Sequence, residues 1–135
     1  MELKKEAPTP EAYNALRLRS KIGGPKPLAK ARQALQNSLH VVSVYDGESL
    51  IGLGRIIGDG AVSFAVTDVM VAEEYQRQGI GHTIMQHLDT WFAKHTDTTS
   101  YIMLIANKPA DRLYRKYGFE DVGEMKIGML RKHSI

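Results

Sequence analysis

Apolar residues keep a helical spacing at both flanks of the chain and a strand-like one between them. Thr9-Pro10-Glu11 opens the first helix: the Thr9 hydroxyl can accept a backbone N–H as N-cap, and Pro10 suits a first position that needs no N–H. Ala12, Tyr13 and Leu16 share a face until Gly23-Gly24-Pro25 stops the helix. A second helix begins near Pro27, carries Leu28, Ala31 and Leu35 at i, i+3 and i+7, and ends around Asn37-Ser38. The period then shortens. Leu39 to Tyr45 is strand-like, Asp46-Gly47 is a hairpin-turn dipeptide, and Leu50 to Ile57 is a second strand. Gly58-Asp59-Gly60 turns into a third strand over Ala61 to Val71, which completes an antiparallel meander. Ile80, Ile84, Leu88, Trp91 and His95 restore the helical period, with Met85 and Phe92 beside them, and predict a helix over 80–95. Tyr101 to Ile105 reads as a strand buried on both faces. Residues 64–105 therefore form a right-handed crossover joining parallel strands. A short helix over Asn107 to Tyr117 ends with Gly118 in the left-handed cap position and Phe119 packing back. Met125 to Leu130 adds a last strand. The fold class is α/β (α+β), a mixed, mostly antiparallel central sheet with flanking helices.

Composition narrows the function. The 135 residues form one domain, 1–135, large enough to bury a core without staples. A 43% hydrophobic, 24% charged chain is neither fibrous nor disordered. The absence of cysteine excludes a disulfide framework, a thiolate metal site and a cysteine nucleophile. No apolar run approaches the roughly 20 residues of a membrane span, and Met1 to Glu6 contains no signal-peptide core, so the expected setting is cytoplasmic with no membrane partner. A net charge of +3 comes from scattered Lys and Arg, which reads as a solvated surface rather than a nucleic-acid platform. The five histidines contain no His-Glu-x-x-His spacing, and no metal is expected.

The segment from Asp68 to His82 carries the candidate chemistry. A strand runs through a polar turn with two glycines straight into a helix. Backbone N–H groups and the positive end of the helix dipole suit a phosphate there, and Gly79 and Gly81 let the backbone come close. Arg77 and His82 sit where the dipole disfavours cations, a conflict that a bound anion removes. A tight βα turn with no ligand explains a lone Gly-x-Gly equally well. A Walker loop fails for want of Gly-Lys-Ser/Thr, and a dinucleotide fingerprint fails because Ile84 stands where its third glycine belongs.

Gln76-x-x-Gly79-x-Gly81 after a Val-x-Val strand resembles the acetyl-coenzyme A signature of the GNAT N-acetyltransferase superfamily. Tyr114-Arg115-Lys116-Tyr117-Gly118-Phe119 is similar to that family's Tyr-x-x-x-Gly-Phe segment, and Asn107 matches an Asn near the pantetheine. The resemblance covers residues 39–130 and implies a GNAT-like sheet with a splayed parallel strand pair. It implies acetyl-CoA as co-substrate, with residues 1–38 as acceptor-side helices and 39–130 as sheet and cofactor-binding core. The backbone of Val69, Met70 and Val71 would pair with pantetheine. The N–H groups of Gln76, Arg77, Gln78, Gly79, Ile80, Gly81 and His82 would cradle the pyrophosphate. Asn107, Asp111 and Tyr114 would line the other wall, and Lys116 would approach the adenosine phosphate or stand as an exposed helix lysine. Many relatives form two-fold dimers, and the edge near Met125 to Leu130 offers a surface for a homodimer.

Attack of an amine on a thioester puts charge first on the carbonyl oxygen and then on sulfur. A backbone N–H at Met70 can meet the first. Tyr114 can donate to the second, because a phenol of pKa about 10 is protonated at neutral pH. Tyr114 is thus the catalytic candidate, its alternative being a buried structural tyrosine. For the base, Asp68, Glu73, Tyr45 and His40 are candidates and none is assigned; an Asp within a strand is uncommon by propensity. Arg17, Arg19, Lys21 and Lys26 hint at an anionic acceptor or a solvated face. The leading reading is acetyl transfer to a primary amine of a small molecule. A protein lysine or N-terminus as acceptor, and a non-catalytic acyl-CoA-binding domain, are the alternatives.

Overall fold

The computed structural model describes residues 1–133. The chain runs β1 (Glu2–Lys4), α1 (Pro10–Ser20), α2 (Leu28–Gln36), β2 (His40–Asp46), β3 (Ser49–Gly58), β4 (Ser63–Val71), α3 (Ile80–His95), β5 (Tyr101–Met103) and α4 (Asp111–Arg115). The five strands form one sheet in sequence order. β1 to β4 pair antiparallel and β4 with β5 parallel, the mixed sheet that the sequence predicts.

Local chemistry explains the helix ends. Thr9 caps α1 by accepting the Ala12 N–H at 3.1 Å, and Pro10 takes the first turn. The helix closes at Lys21, in a left-handed conformation, before the Gly23-Gly24 pair is reached. Gly79, with φ +83°, starts α3 in a backbone conformation that glycine adopts without steric cost. The Asp59 carboxylate accepts the N–H groups of Ala61, Val62 and Ser63. Those bonds hold its pKa below the usual range and extend the turn, so β4 begins at Ser63 rather than Ala61.

Packing follows from alternation along β3. Ile51 and Leu53 are wholly buried, and Gly52 and Gly54 lie under α3 on the opposite face. A Cβ on Gly54 would fall 2.6 Å from Ile84 Cγ2, so the glycines let α3 lie close to the sheet. Burying each large aliphatic side chain in this layer contributes about 1.5–3 kcal/mol. α1 covers β3 and β4 from the other side.

Four expectations are corrected. β1 is an additional strand, made by pairing of Glu2 to Lys4 with Ser43 to Tyr45. β5 stops at Met103, and Tyr101 and Met103 are 48% and 43% exposed, because β5 parts from β4 after Ala65 and so is not buried on both faces. α4 begins at Asp111 rather than Asn107, since Pro109 disfavours helical backbone in the residue before it. Met125 to Leu130 forms no strand and is largely exposed, because the three-residue β5 is too short an edge to template a neighbour.

Candidate functional site

β4 and β5 stay together for three pairs, Ser63–Tyr101, Phe64–Ile102 and Ala65–Met103, and then separate. The outer edge of β4 from Val66 to Val71 consequently borders a cleft of about 810 Å3 whose far wall includes Asn107 and Tyr114. A second recess of about 360 Å3 adjoins it and is lined by Arg77, Gly79, Ile80, Gly81 and His82. Val69, Val71, Gln76, Ala110 and Tyr114 line both, so the two are continuous. Of the residues expected at the cofactor, Gln78, Asp111 and Lys116 are outside these walls. Gln78 reaches back to the Glu74 carbonyl and Asp111 accepts from Arg115.

The edge of β4 has its own register. Leu53 pairs with Met70 and Arg55 with Thr67, so Gly54 faces two residues, Asp68 and Val69, across a β-bulge. Asp68 has φ +53°, left-handed backbone inside a strand. Beyond the bulge, Ala72 N–H donates to the Ile51 carbonyl, and alternation turns the Met70 N–H toward β3 in the same way. The N–H groups of Val69 and Val71 are left on the open edge. The Val71 carbonyl confirms that direction by accepting from Gln76 Nε2 at 2.9 Å. Met70 is therefore replaced by Val69 and Val71 as the source of a cleft-facing donor.

At the turn, α3 has no side-chain cap, which leaves its first backbone N–H groups open beside the recess. Gly81 has a further reason to be small, besides the expected approach of backbone to a phosphate. A Cβ there would lie 3.1 Å from Leu113 Cδ2, so the glycine sets the approach of α4 to α3. Tyr117 Oη donates to the His82 carbonyl at 3.0 Å and ties the same two elements. Gly118 is left-handed at φ +88°, and Phe119 meets Tyr114 edge-on at 6.3 Å, as the cap motif predicts. Burial pushes the Tyr114 phenol above its ordinary pKa, so it holds its proton at neutral pH.

The candidate bases are separated by the fold. His40 stacks on Trp91, and Tyr45 lies under the Lys4 ammonium, both away from the cleft walls. Burial lowers the His40 pKa and raises that of Tyr45. Glu73 is paired with Lys21 at 2.7 Å. Asp68 borders the cleft, but Arg17 binds one carboxylate oxygen at 3.2 Å and Arg55 and Tyr13 bind the other at 2.9 and 2.5 Å. The cationic hint of the first helix is likewise absorbed. Arg17 is bound to Asp68, Arg19 to Glu74 and Lys21 to Glu73, which leaves less positive charge for an acceptor than the sequence suggested. Tyr13, Arg17 and Arg55 were not singled out together by sequence reasoning. The signal available was Asp68 itself, a carboxylate in a strand that needs cationic partners if buried.

The family model of the acetyltransferase (GNAT) domain matches residues 17–128. The chain belongs to the GNAT family. TAP1, a histone acetyltransferase of Glycine max, is 30% identical over 131 residues, which cover 88% of this GNAT chain and 56% of TAP1. The chain spans about half the length of the curated GNAT relatives it matches. An acetyltransferase-type protein of unknown function from meticillin-resistant Staphylococcus aureus is 38% identical over 98% of both chains, with a TM-score of 0.91. A GNAT-family acetyltransferase from Streptococcus pneumoniae is 29% identical over 97% of this chain and 98% of its own, with a TM-score of 0.71.

Proposed function

We propose that the chain is an acetyl-CoA-dependent N-acetyltransferase that moves an acetyl group to a primary amine of a small molecule, by direct attack with both substrates bound. The observation that carries this reading is the junction of the two recesses. There the open β4 edge, the uncapped start of α3 and the Tyr114 hydroxyl line one channel. The residues fit the cofactor's parts. The Val69 and Val71 N–H groups suit pantetheine and a thioester carbonyl, in the manner of an added strand. The turn from Gln76 to His82 suits a pyrophosphate, with Asn107 on the opposite wall.

Acetyl-CoA, when bound, supplies the activated acyl group. The amine nitrogen forms a bond to the thioester carbon, and the carbon–sulfur bond breaks. An outward N–H of β4 stabilises the charge on the carbonyl oxygen. Tyr114 Oη gives its proton to the departing sulfur. The first proton of an ammonium acceptor goes to water, since the candidate carboxylates Asp68 and Glu73 are already bound to cations, and the second, lost from nitrogen as the amide forms, restores the Tyr114 phenol through water.

A protein amine as acceptor is the second reading, favoured by the similarity to a plant histone acetyltransferase. We place the enzyme in the cytoplasm as a homodimer, and no helix among the described residues is long and apolar enough to cross a membrane. The test is a thermal shift followed by turnover. Acetyl-CoA at 100 times its dissociation constant is expected to add about 2.7 kcal/mol of stability, and ATP or NAD at the same concentration none. No shift with acetyl-CoA overturns the reading. Release of free thiol with small amines, compared with a peptide library, decides between the two acceptors, and binding without turnover marks a non-catalytic domain.

A further inference from the structure

Asp68 occupies a position with three unusual properties at once. It lies inside a strand, its backbone is left-handed at φ +53°, and its carboxylate is only 10% exposed. A non-glycine residue in that conformation is strained, although Asp and Asn tolerate it best. Such strain persists only where the surroundings enforce it.

The surroundings do so from two elements. Tyr13 and Arg17, one helical turn apart on α1, bind the carboxylate from above the sheet. Arg55 binds it from the neighbouring strand β3. The cage is itself anchored. Arg17 Nε donates to the Gly24 carbonyl at 2.8 Å, and Arg55 Nη1 to the Ser38 hydroxyl at 3.2 Å. Among the described residues no buried side-chain nitrogen or oxygen in this region lacks a partner. Two guanidinium groups around one carboxylate make removal of that carboxylate costly, because both cations would be left buried and unpaired.

The placement of the cage matters more than its stability. Asp68 and Val69 are the two residues of the bulge, and the bulge sets the register that puts the Val69 and Val71 N–H groups on the open edge. We propose that Asp68 is a positioning residue for acyl transfer: held by Tyr13, Arg17 and Arg55, it locks the bulge that aims the Val69 and Val71 N–H groups into the cleft. It touches neither reacting atom. This inference rests on the function proposed above and adds to it the residue that sets the geometry of the oxyanion donors.

The role separates from that of a general base in how substitutions behave. Asp68→Asn keeps one acceptor oxygen and tolerance of left-handed backbone, but it loses the charge and the second acceptor and cannot take a proton at neutral pH. Asp68→Ala loses acceptors and tolerance together. For a positioning residue, Asp68→Ala lowers kcat by about 10²-fold, the scale of one misplaced oxyanion donor. Asp68→Asn, which keeps one acceptor and the left-handed tolerance, recovers part of that loss, with the pH profile of kcat/KM unchanged and KM for acetyl-CoA shifting by less than kcat in both variants. Tyr13→Phe, which removes one hydrogen bond and keeps the ring in the core, is the variant to use if Asp68→Ala does not fold, and it lowers kcat with little change in KM.

An amide NMR titration with acetyl-CoA reads the geometry directly. In wild type the Val69 and Val71 amide signals shift on binding; in Asp68→Ala or Tyr13→Phe those two shifts shrink while the signals from Gly79 to His82 respond as before. Absence of all these shifts in wild type overturns the cofactor-binding reading instead. Equal shifts and equal kcat in wild type and variants overturn the positioning role. Loss of the acidic limb of the pH profile in Asp68→Asn, with no recovery of rate, reassigns Asp68 as the base.

Discussion

A phenol that protonates a leaving thiolate must keep its proton until the carbon–sulfur bond opens. Burial at Tyr114 favours that, because desolvation disfavours the phenolate and raises the pKa. The sign follows directly: the donating form is fully present at neutral pH and is lost only as pH rises through a value above 10.0. Activity is therefore expected to show no alkaline limb due to Tyr114 below that point. A limb under pH ~9 that disappears in Tyr114→Phe would show the phenol titrating below its ordinary value, against the direction that burial gives. Tyr114→Phe preserves the ring against Phe119 and is expected to lower kcat by roughly 10²–10⁴ with acetyl-CoA affinity nearly unchanged. Single-turnover acetyl transfer is the measurement, since slow product release can mask chemistry in steady state. The place of Tyr114 on the cleft wall was legible in the sequence because Gly118-Phe119 fixes its register. Asp68 was visible as an oddity, whereas its cage was not: Tyr13, Arg17 and Arg55 are 55, 51 and 13 residues away in sequence. No local pattern links side chains at those separations.

Elements were legible to the degree that their own residues determine them. Thr9 and Pro10 fix the start of α1, and the apolar period together with Gly79 gives α3 as Ile80–His95, the span that the sequence predicts. β1 was invisible because Glu-Leu-Lys has no strand signature of its own, and its hydrogen bonds come from Ser43 to Tyr45. The opposite error arose at Met125 to Leu130, where a strand pattern finds no partner strand in its own chain. Gly81 has a packing role that the sequence did not reveal. Its missing side chain lets α4 approach through Leu113, so Gly81→Val is expected to displace the wall that carries Tyr114 as well as the pyrophosphate turn. Overpacking of this kind costs about 1–3 kcal/mol. A lowered melting temperature and a loss of acetyl-CoA affinity are expected together. Normal calorimetric affinity in Gly81→Val would place the pyrophosphate elsewhere.

On the scale of the whole molecule, the most exposed run of apolar side chains lies between Met125 and Leu130. Met125, Ile127, Met129 and Leu130 are 75–95% exposed, and Lys126 among them lies over the ring of Tyr101 in the three-residue edge strand β5. A stretch of that character is what a second copy covers in a symmetric dimer. Light scattering is expected to give twice the chain mass, and Ile127→Lys to return it to the monomer; a monomer for the unaltered chain at working concentration would refute the dimer. The short β4–β5 ladder has a consequence of a different kind. The described residues after Met103 follow a strand held to β4 by three residue pairs, and α4 packs on α3. The wall bearing Asn107 and Tyr114 is thus expected to open more readily than the central strands, as faster amide hydrogen exchange would show. A ligand that bridges β4 to that wall completes the sheet. Part of its binding energy is then spent on ordering the protein, so association should be strongly exothermic and entropically opposed.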